Sequence, residues 1–124
     1  MQREKYCSIF RSMADFFAVL GNSDRIRILA LLIDKPRGVN EIHDLLGISQ
    51  PRASQSLKIL KLNHIVTEAK AGKHVYYSIV DEKIADLIKS VFDIKSIELL
   101  TDKSEIQTLK ELADLWNEKT INEK

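Results

Sequence analysis

The feature that most constrains the fold of this chain is a pair of short helical patterns separated by only three residues. Apolar side chains recur at helical spacing in residues 39–46 and again in residues 50–62, with Gly47-Ile48-Ser49 between them. Glycine commonly follows the last residue of a helix, and serine is a favoured N-cap. The pattern therefore predicts two successive helices joined by a tight turn, which is the arrangement of a helix-turn-helix.

The periodicity changes after residue 62. Residues 65–70 and 73–79 are two runs rich in Val, Ile, Thr and Tyr, and Ala71-Gly72 joins them. Two such runs around a short glycine-containing connection are typical of a β-hairpin. The turn is predicted at Ala71-Gly72.

Amphipathic helical patterns flank these elements on both sides. Two precede them, in residues 1–20 and 24–33, and two follow in residues 81–119, where Asp81 is positioned to cap the first. The side chains expected to face inward include Ile26, Ile28, Leu29 and Leu32 in the second helix and Val39, Ile42, Leu45 and Leu46 in the third. We therefore predict a single domain over residues 1–124, mostly α with a small β-hairpin: a winged helix-turn-helix (39–62, wing 65–79) with N- and C-terminal flanking helices (1–20 and 81–119).

The net charge of +1 conceals an uneven distribution along the chain. Residues 50–80 carry five basic side chains and one acidic side chain, whereas residues 81–124 carry seven basic and eleven acidic ones. Attraction to a polyanion depends on the local excess of charge rather than on the total. Cys7 is the single cysteine, so no intramolecular disulfide can form, and no apolar stretch resembles a signal peptide or a membrane span. We expect a cytoplasmic protein without a membrane partner.

The start of the fourth helix carries side chains of the types that can contact DNA bases. Gln can contact adenine, Arg can contact guanine, and Ser can contact either bases or phosphate. We predict base contacts from Gln50, Arg52, Ser54, Gln55 and Ser56, and backbone contacts from Ser49, Lys58, Lys70 and Lys73. The simpler alternative is an exposed, well-capped helix, but such a face commonly carries carboxylates, and this one has none.

Three stretches resemble the ArsR-type winged-helix repressors. Residues 20–29 (LGNSDRIRIL) look like the family's second-helix signature, residues 48–60 (ISQPRASQSLKIL) like its recognition helix, and residues 72–79 (GKHVYYSI) like its wing. Their order and spacing also match. Ser56 stands where the family often has histidine, which bears on the operator sequence rather than on the mode of binding.

The resemblance implies a transcriptional regulator, and more specifically a repressor, that binds operator DNA as a homodimer. The implied dimer surface combines the first helix with the helix after the wing: Phe10, Met13, Phe17, Ile84, Leu87, Ile88 and Val91. Both stripes are apolar enough to support this arrangement. The alternative is that they pack only within one subunit.

The resemblance suggests two kinds of metal site, and neither is evident in this sequence. The third helix lacks the cysteine pair of one ligand set, and the helix after the wing lacks the histidines of another. His43, His64 and His74 are not spaced as helical ligands. We predict no metal and no cofactor. Catalysis is not expected, because no phosphate loop or nucleophile–base pair is recognisable. A protein-interaction module of the same fold and a metalloregulator with an unrecognised site stay open as alternatives.

Overall fold

The computed structural model describes residues 2–93, 110, 111 and 114, and the statements below concern these residues. The elements in chain order are α1 (Gln2–Leu20), α2 (Ser23–Asp34), α3 (Val39–Leu46), α4 (Gln50–Leu62), β1 (Val66–Ala71), β2 (His74–Ile79) and α5 (Glu82–Asp93). This order confirms the predicted fold class of helices with one small hairpin. The second helix expected within residues 81–119 lies, apart from 110, 111 and 114, outside the described residues.

The chain divides into two compact units, Met1–Val80 and Asp81–Lys124, which are described separately. The first contains the helix-turn-helix and the hairpin. The second begins at α5, where the backbone N–H of Lys83 donates to the Asp81 carboxylate at 2.7 Å, as the predicted cap requires. The single-domain organisation over residues 1–124 stays a prediction.

The core of the first unit is formed by α2, α3, α4 and the start of β1. Its largest fully buried side chains are Ile28, Leu29, Ile42, Leu57, Leu60, Ile65 and Val66. Burying a side chain of this size contributes about 1.5–3 kcal/mol. The three short helices therefore stabilise one another.

Two apolar side chains expected in this core are exposed instead. Ile26 is exposed on α2, and Leu45 on α3 is 55% exposed. Successive residues of a helix are rotated by about 100°. Leu45 is rotated by that angle from Leu46, which shares the inner stripe of α3 with the buried Ile42. The inward-facing stripe predicted for α3 was therefore one residue too wide.

Three arginines connect the C-terminal ends of three helices to their surroundings. The last carbonyl groups of a helix lack partners within it, so an arginine there satisfies them and opposes the helix dipole. Arg25 donates to the carbonyl of Val19 in α1 (2.6 Å), Arg27 to that of Leu46 in α3, and Arg37 to that of Leu31 in α2 (3.2 Å). Arg25 and Arg27 project from α2, which thereby holds the ends of α1 and α3.

The hairpin turn lies one residue later in the chain than predicted. Ala71 pairs with His74, so the turn consists of Gly72 and Lys73 rather than Ala71-Gly72. Gly72 has a φ of +65°, and a positive φ at the first turn position alone is typical of a type II′ turn, which favours glycine there. Lys73 is consequently at the tip of the wing.

No helix in the described part of the chain combines the length and apolar character needed to span a membrane.

Candidate nucleic-acid interface

The turn between α3 and α4 has the conformation expected from its sequence. Gly47 has a φ of +66°, and the backbone N–H of Ile48 donates to the carbonyl of His43 at 3.2 Å. The Ser49 hydroxyl accepts a hydrogen bond from the backbone N–H of Arg52 at 3.3 Å, and Pro51 lies in the first turn of α4. Proline is favoured there because its fixed φ already suits a helix. The start of α4 is therefore well defined.

The exposed side of α4 presents hydrogen-bonding and basic side chains. Its inner face consists of the buried residues Ala53, Ser56, Leu57 and Leu60. Its outer face carries four of the five predicted base-contacting residues and one of the predicted backbone contacts: Gln50, Arg52, Ser54, Gln55 and Lys58. No carboxylate occurs in α4. A helix with such a face fits the major groove in width and in chemistry.

Ser56 is placed differently from the expectation. Its side chain belongs to the inner face and is 8% exposed. The prediction rested on its polar character, but Ser56 lies three residues from Ala53 and four from Leu60, and this spacing places it on the same side of the helix. The structure therefore does not bring Ser56 to the outer face with the other predicted base contacts.

Arg52 is held by an acidic residue that the sequence analysis did not single out. Its Nε donates to Oδ2 of Asp24 at 3.2 Å, and its Nη2 donates to Oδ1 at 2.9 Å and to Oδ2 at 2.7 Å. The Asp24 side chain, in the first turn of α2, is 16% exposed, whereas that of Arg52 is 59% exposed. The two residues are 28 positions apart in sequence, so no local pattern reveals the contact.

The other predicted backbone contacts are the N-cap residue of α4 and two lysines of the wing. Ser49, Lys70 and Lys73 are all exposed, with Lys73 in the turn. The hairpin is tied to α4 by an ion pair between Lys61 and Glu68. The hydrogen bond from Lys61 lowers the pKa of Glu68 from its usual value of 4.5.

The opposite strand of the wing completes this contact. Glu68 faces Tyr77 across the strand pair, and interaction with the Tyr77 hydroxyl also lowers the pKa of Glu68. Burial raises the pKa of Tyr77 above 10.0, and the Glu68 charge adds to the shift. Through its ion pair with Glu68, Lys61 therefore helps to hold the wing against α4.

The predicted dimer residues are mostly accessible in the single chain. In the first unit, α1 exposes Phe10, Met13 and Phe17. In the second unit, α5 exposes Leu87 and Val91, and Ile84 is half-buried. Ile88 is 4% exposed in the single chain, so it has little surface left for a partner. The other apolar side chains are available for a partner, and the dimer interface stays a prediction.

Histidine and acidic side chains are dispersed in the described part of the chain. No group of three or more His, Cys, Asp or Glu residues there is arranged to hold a metal ion. The His43 Nδ1 lies 3.5 Å from the Asp44 carboxylate, and Cys7 is an exposed free thiol. Metal independence stays a prediction.

Comparison with known proteins gives a consistent assignment. The profile of the bacterial regulatory protein arsR family matches residues 22–67, which include α2, α3 and α4. The chain is 29% identical over 83 residues to a transcriptional repressor SmtB homologue of Synechocystis, a match covering 67% of this chain and 63% of that protein. It is 33% identical over 81 residues to the HTH-type regulator Rv0081 of Mycobacterium tuberculosis, covering 64% of this chain and 71% of the relative.

Solved structures agree in fold. The Rv0081 crystal structure matches with a TM-score of 0.68 at 30% identity, covering 73% of this chain and 92% of that one. The homodimeric winged helix-turn-helix DNA-binding domain Mb0332 of Mycobacterium bovis, a possible ArsR-family regulator, matches with a TM-score of 0.65 at 30% identity. That match covers 70% of this chain and 81% of the domain.

Fold and site together define a winged helix-turn-helix transcriptional regulator rather than an enzyme. The chain belongs to the arsR family of bacterial regulatory proteins.

Proposed function

We propose that this protein is a dimeric, sequence-specific repressor that inserts α4 into the major groove of an operator. The observation that carries the proposal is the carboxylate-free outer face of α4. Its exposed Gln50, Arg52, Ser54 and Gln55 supply donors and acceptors for base edges. Two of the relatives are named as repressors, which supports repression rather than activation.

The basic side chains beside this face supply the sequence-independent part of the affinity. Lys58 on α4 and Lys70 and Lys73 on the wing are exposed. Each phosphate that a lysine neutralises releases counterions and steepens the salt dependence by roughly 0.9. Three such contacts in each of two protomers correspond to a slope of about −5 in a plot of log affinity against log salt.

Dimerisation through α1 and α5 fits the operator-binding proposal. A two-fold symmetric dimer presents two copies of α4 to two half-sites about one helical turn of DNA apart. Exposed apolar side chains on α1 and on α5 are available for such an interface. The homodimeric state of the Mycobacterium bovis domain also supports it. A cytoplasmic location is part of the same proposal.

Selection of bound duplexes from a random pool tests the function directly. We expect enrichment of a partly palindromic motif and a steep loss of affinity with salt. A folded protein that enriches no motif and binds duplex without salt dependence would contradict the proposal and favour a protein-interaction module.

We also propose that DNA binding by this protein does not depend on a bound metal ion. Protein purified without chelator is expected to contain less than one equivalent of metal per dimer, and zinc titration is expected to leave operator affinity unchanged. A stoichiometric metal that alters operator affinity would instead identify a metalloregulator.

A further inference from the structure

We propose that Asp24 determines sequence specificity by holding one edge of the Arg52 guanidinium, so that the other edge reads a single guanine. This inference rests on the proposed insertion of α4 into the major groove. It adds a residue outside the helix-turn-helix, on α2, to the reading of the operator.

The donor geometry of Arg52 permits both contacts at once. A guanidinium has five N–H donors in a planar fork. Asp24 occupies the edge formed by Nε and Nη2. On the second edge, Nη1 donates no hydrogen bond within the described residues, and Nη2, which carries two hydrogens, belongs to both edges. Guanine presents O6 and N7 side by side to such an edge, and this pairing is the commonest specific contact to that base.

Asp24 is better fixed than the arginine it holds. It lies in the first turn of α2, where the helix dipole favours a negative charge, and it is largely covered. Its Oδ1 also lies 3.7 Å from Nη1 of Arg27, a side chain that is anchored to the carbonyl of Leu46. The free protein therefore restricts Arg52 before DNA arrives, which lowers the entropy lost on binding.

The pairing also lowers binding to the wrong sequences. Paired with Asp24, the charge of Arg52 is largely neutralised and contributes little to general attraction toward phosphates. A guanine at the correct position still gains two hydrogen bonds. Specificity is a difference of affinities. Asp24 increases this difference because it keeps the contact to guanine and lowers the affinity for other sequences.

The test uses Asp24→Asn and Asp24→Ala in the full chain. The relevant base is identified first, as the guanine of the selected operator whose preference over adenine disappears in Arg52→Ala. We expect the wild-type protein to prefer guanine there by about tenfold, and both Asp24 variants to reduce that preference to about twofold or less. Their affinity for random duplex should rise, because a negative charge near DNA has been removed.

Two comparisons separate positioning from a general charge effect. Asp44→Asn removes the same charge from α3, where the side chain is 76% exposed, and should raise random binding without changing the guanine preference. Combining Asp24→Asn with Arg52→Ala should cause no further loss of preference, as expected of two residues that act through one contact. Thermal melts of all variants establish that each is folded.

The outcomes distinguish this inference from the proposed function. Failure of the wild-type protein to enrich any motif would overturn both. An enriched motif whose guanine preference survives in both Asp24 variants would overturn the inference alone, as would a motif without a guanine that depends on Arg52. Equal gains in operator and random affinity in Asp24→Asn would show that Asp24 only weakens binding in general, and would also overturn it.

Discussion

Arg37 and Tyr77 exchange two backbone hydrogen bonds, of 3.0 and 2.8 Å, so that the loop before α3 pairs with the free edge of β2. The side chain of the same arginine forms ion pairs with Asp34 at the end of α2 and with Glu41 in the first turn of α3. One residue therefore connects the helix-turn-helix to the wing. The relative position of α4 and the wing, the two elements that we propose contact DNA, depends on this connection.

Replacing Arg37 should destabilise the first unit. Its side chain is mostly buried, and its charged hydrogen bonds satisfy two carboxylates and the carbonyl of Leu31. We expect Arg37→Ala to lower the free energy of unfolding by about 2 kcal/mol, measured by urea denaturation. Arg37→Lys should recover only part of the loss, because lysine lacks the planar fork. Arg11→Ala, at an exposed position of α1, is the control, and an equal effect there would contradict the assignment.

The contact between Lys61, Glu68 and Tyr77 should make wing attachment sensitive to acid. The pKa of Glu68 is lowered in the folded state, so its ionised form stabilises the protein fully above about pH 4.5. That contribution is lost as the pH falls through the lowered pKa. The free energies of unfolding of wild type and Glu68→Gln in urea should therefore differ at pH 6, and the difference should be smaller at pH 3. A difference that is the same at both pH values would contradict this account.

Gly47 should tolerate side chains poorly for conformational reasons alone. A Cβ at this position would meet no atom within 4 Å, but the φ of +66° is unfavourable for residues other than glycine. We expect Gly47→Ala to cost about 1 kcal/mol of unfolding free energy and Gly47→Asn to cost less, because asparagine adopts this region more readily. Thermal denaturation of the two variants measures the difference. Equal losses would indicate another cause.

Lys73 should contribute to affinity but not to specificity. Its place in the wing turn suits a phosphate contact, so Lys73→Ala should weaken operator and random duplex by the same factor and reduce the salt slope by about 1 per protomer. Binding measured over a salt series gives both quantities. Lys5→Ala, on the exposed surface of α1, serves as the charge-matched control. A selective loss on the operator would instead assign Lys73 to base recognition.

The apolar face of α1 should be required for the dimer. Phe10→Glu places a charge on an exposed apolar stripe that we assign to the subunit interface, and a charge left unpaired in an interface is strongly unfavourable. We expect monomers in sedimentation experiments at micromolar concentration and a large loss of operator affinity. Leu45→Glu changes an exposed leucine of α3, outside the proposed interface, and should leave the mass of the dimer unchanged. Dimers in both variants would contradict the assignment.

The local features of this fold follow directly from the sequence. The glycine after α3, the serine and proline at the start of α4, and the β-branched runs of the hairpin are each a matter of neighbouring residues and of intrinsic backbone preference. For this reason α3 and α4 were predicted almost to the residue. The outer face of α4 could likewise be recognised, because it consists of residues within one helix.

The features that differ from prediction depend on contacts between distant segments. The side of α4 that carries Ser56 is covered by neighbouring elements. The hairpin turn is a local exception, because Ala71 pairs with His74 and Gly72 takes the first turn position. The hold of Asp24 on Arg52 arises only where the start of α2 approaches α4. Sequence periodicity determines which face of a helix is apolar, whereas the packing of helices and strands decides which residues meet, because those contacts join positions that have no fixed spacing along the chain.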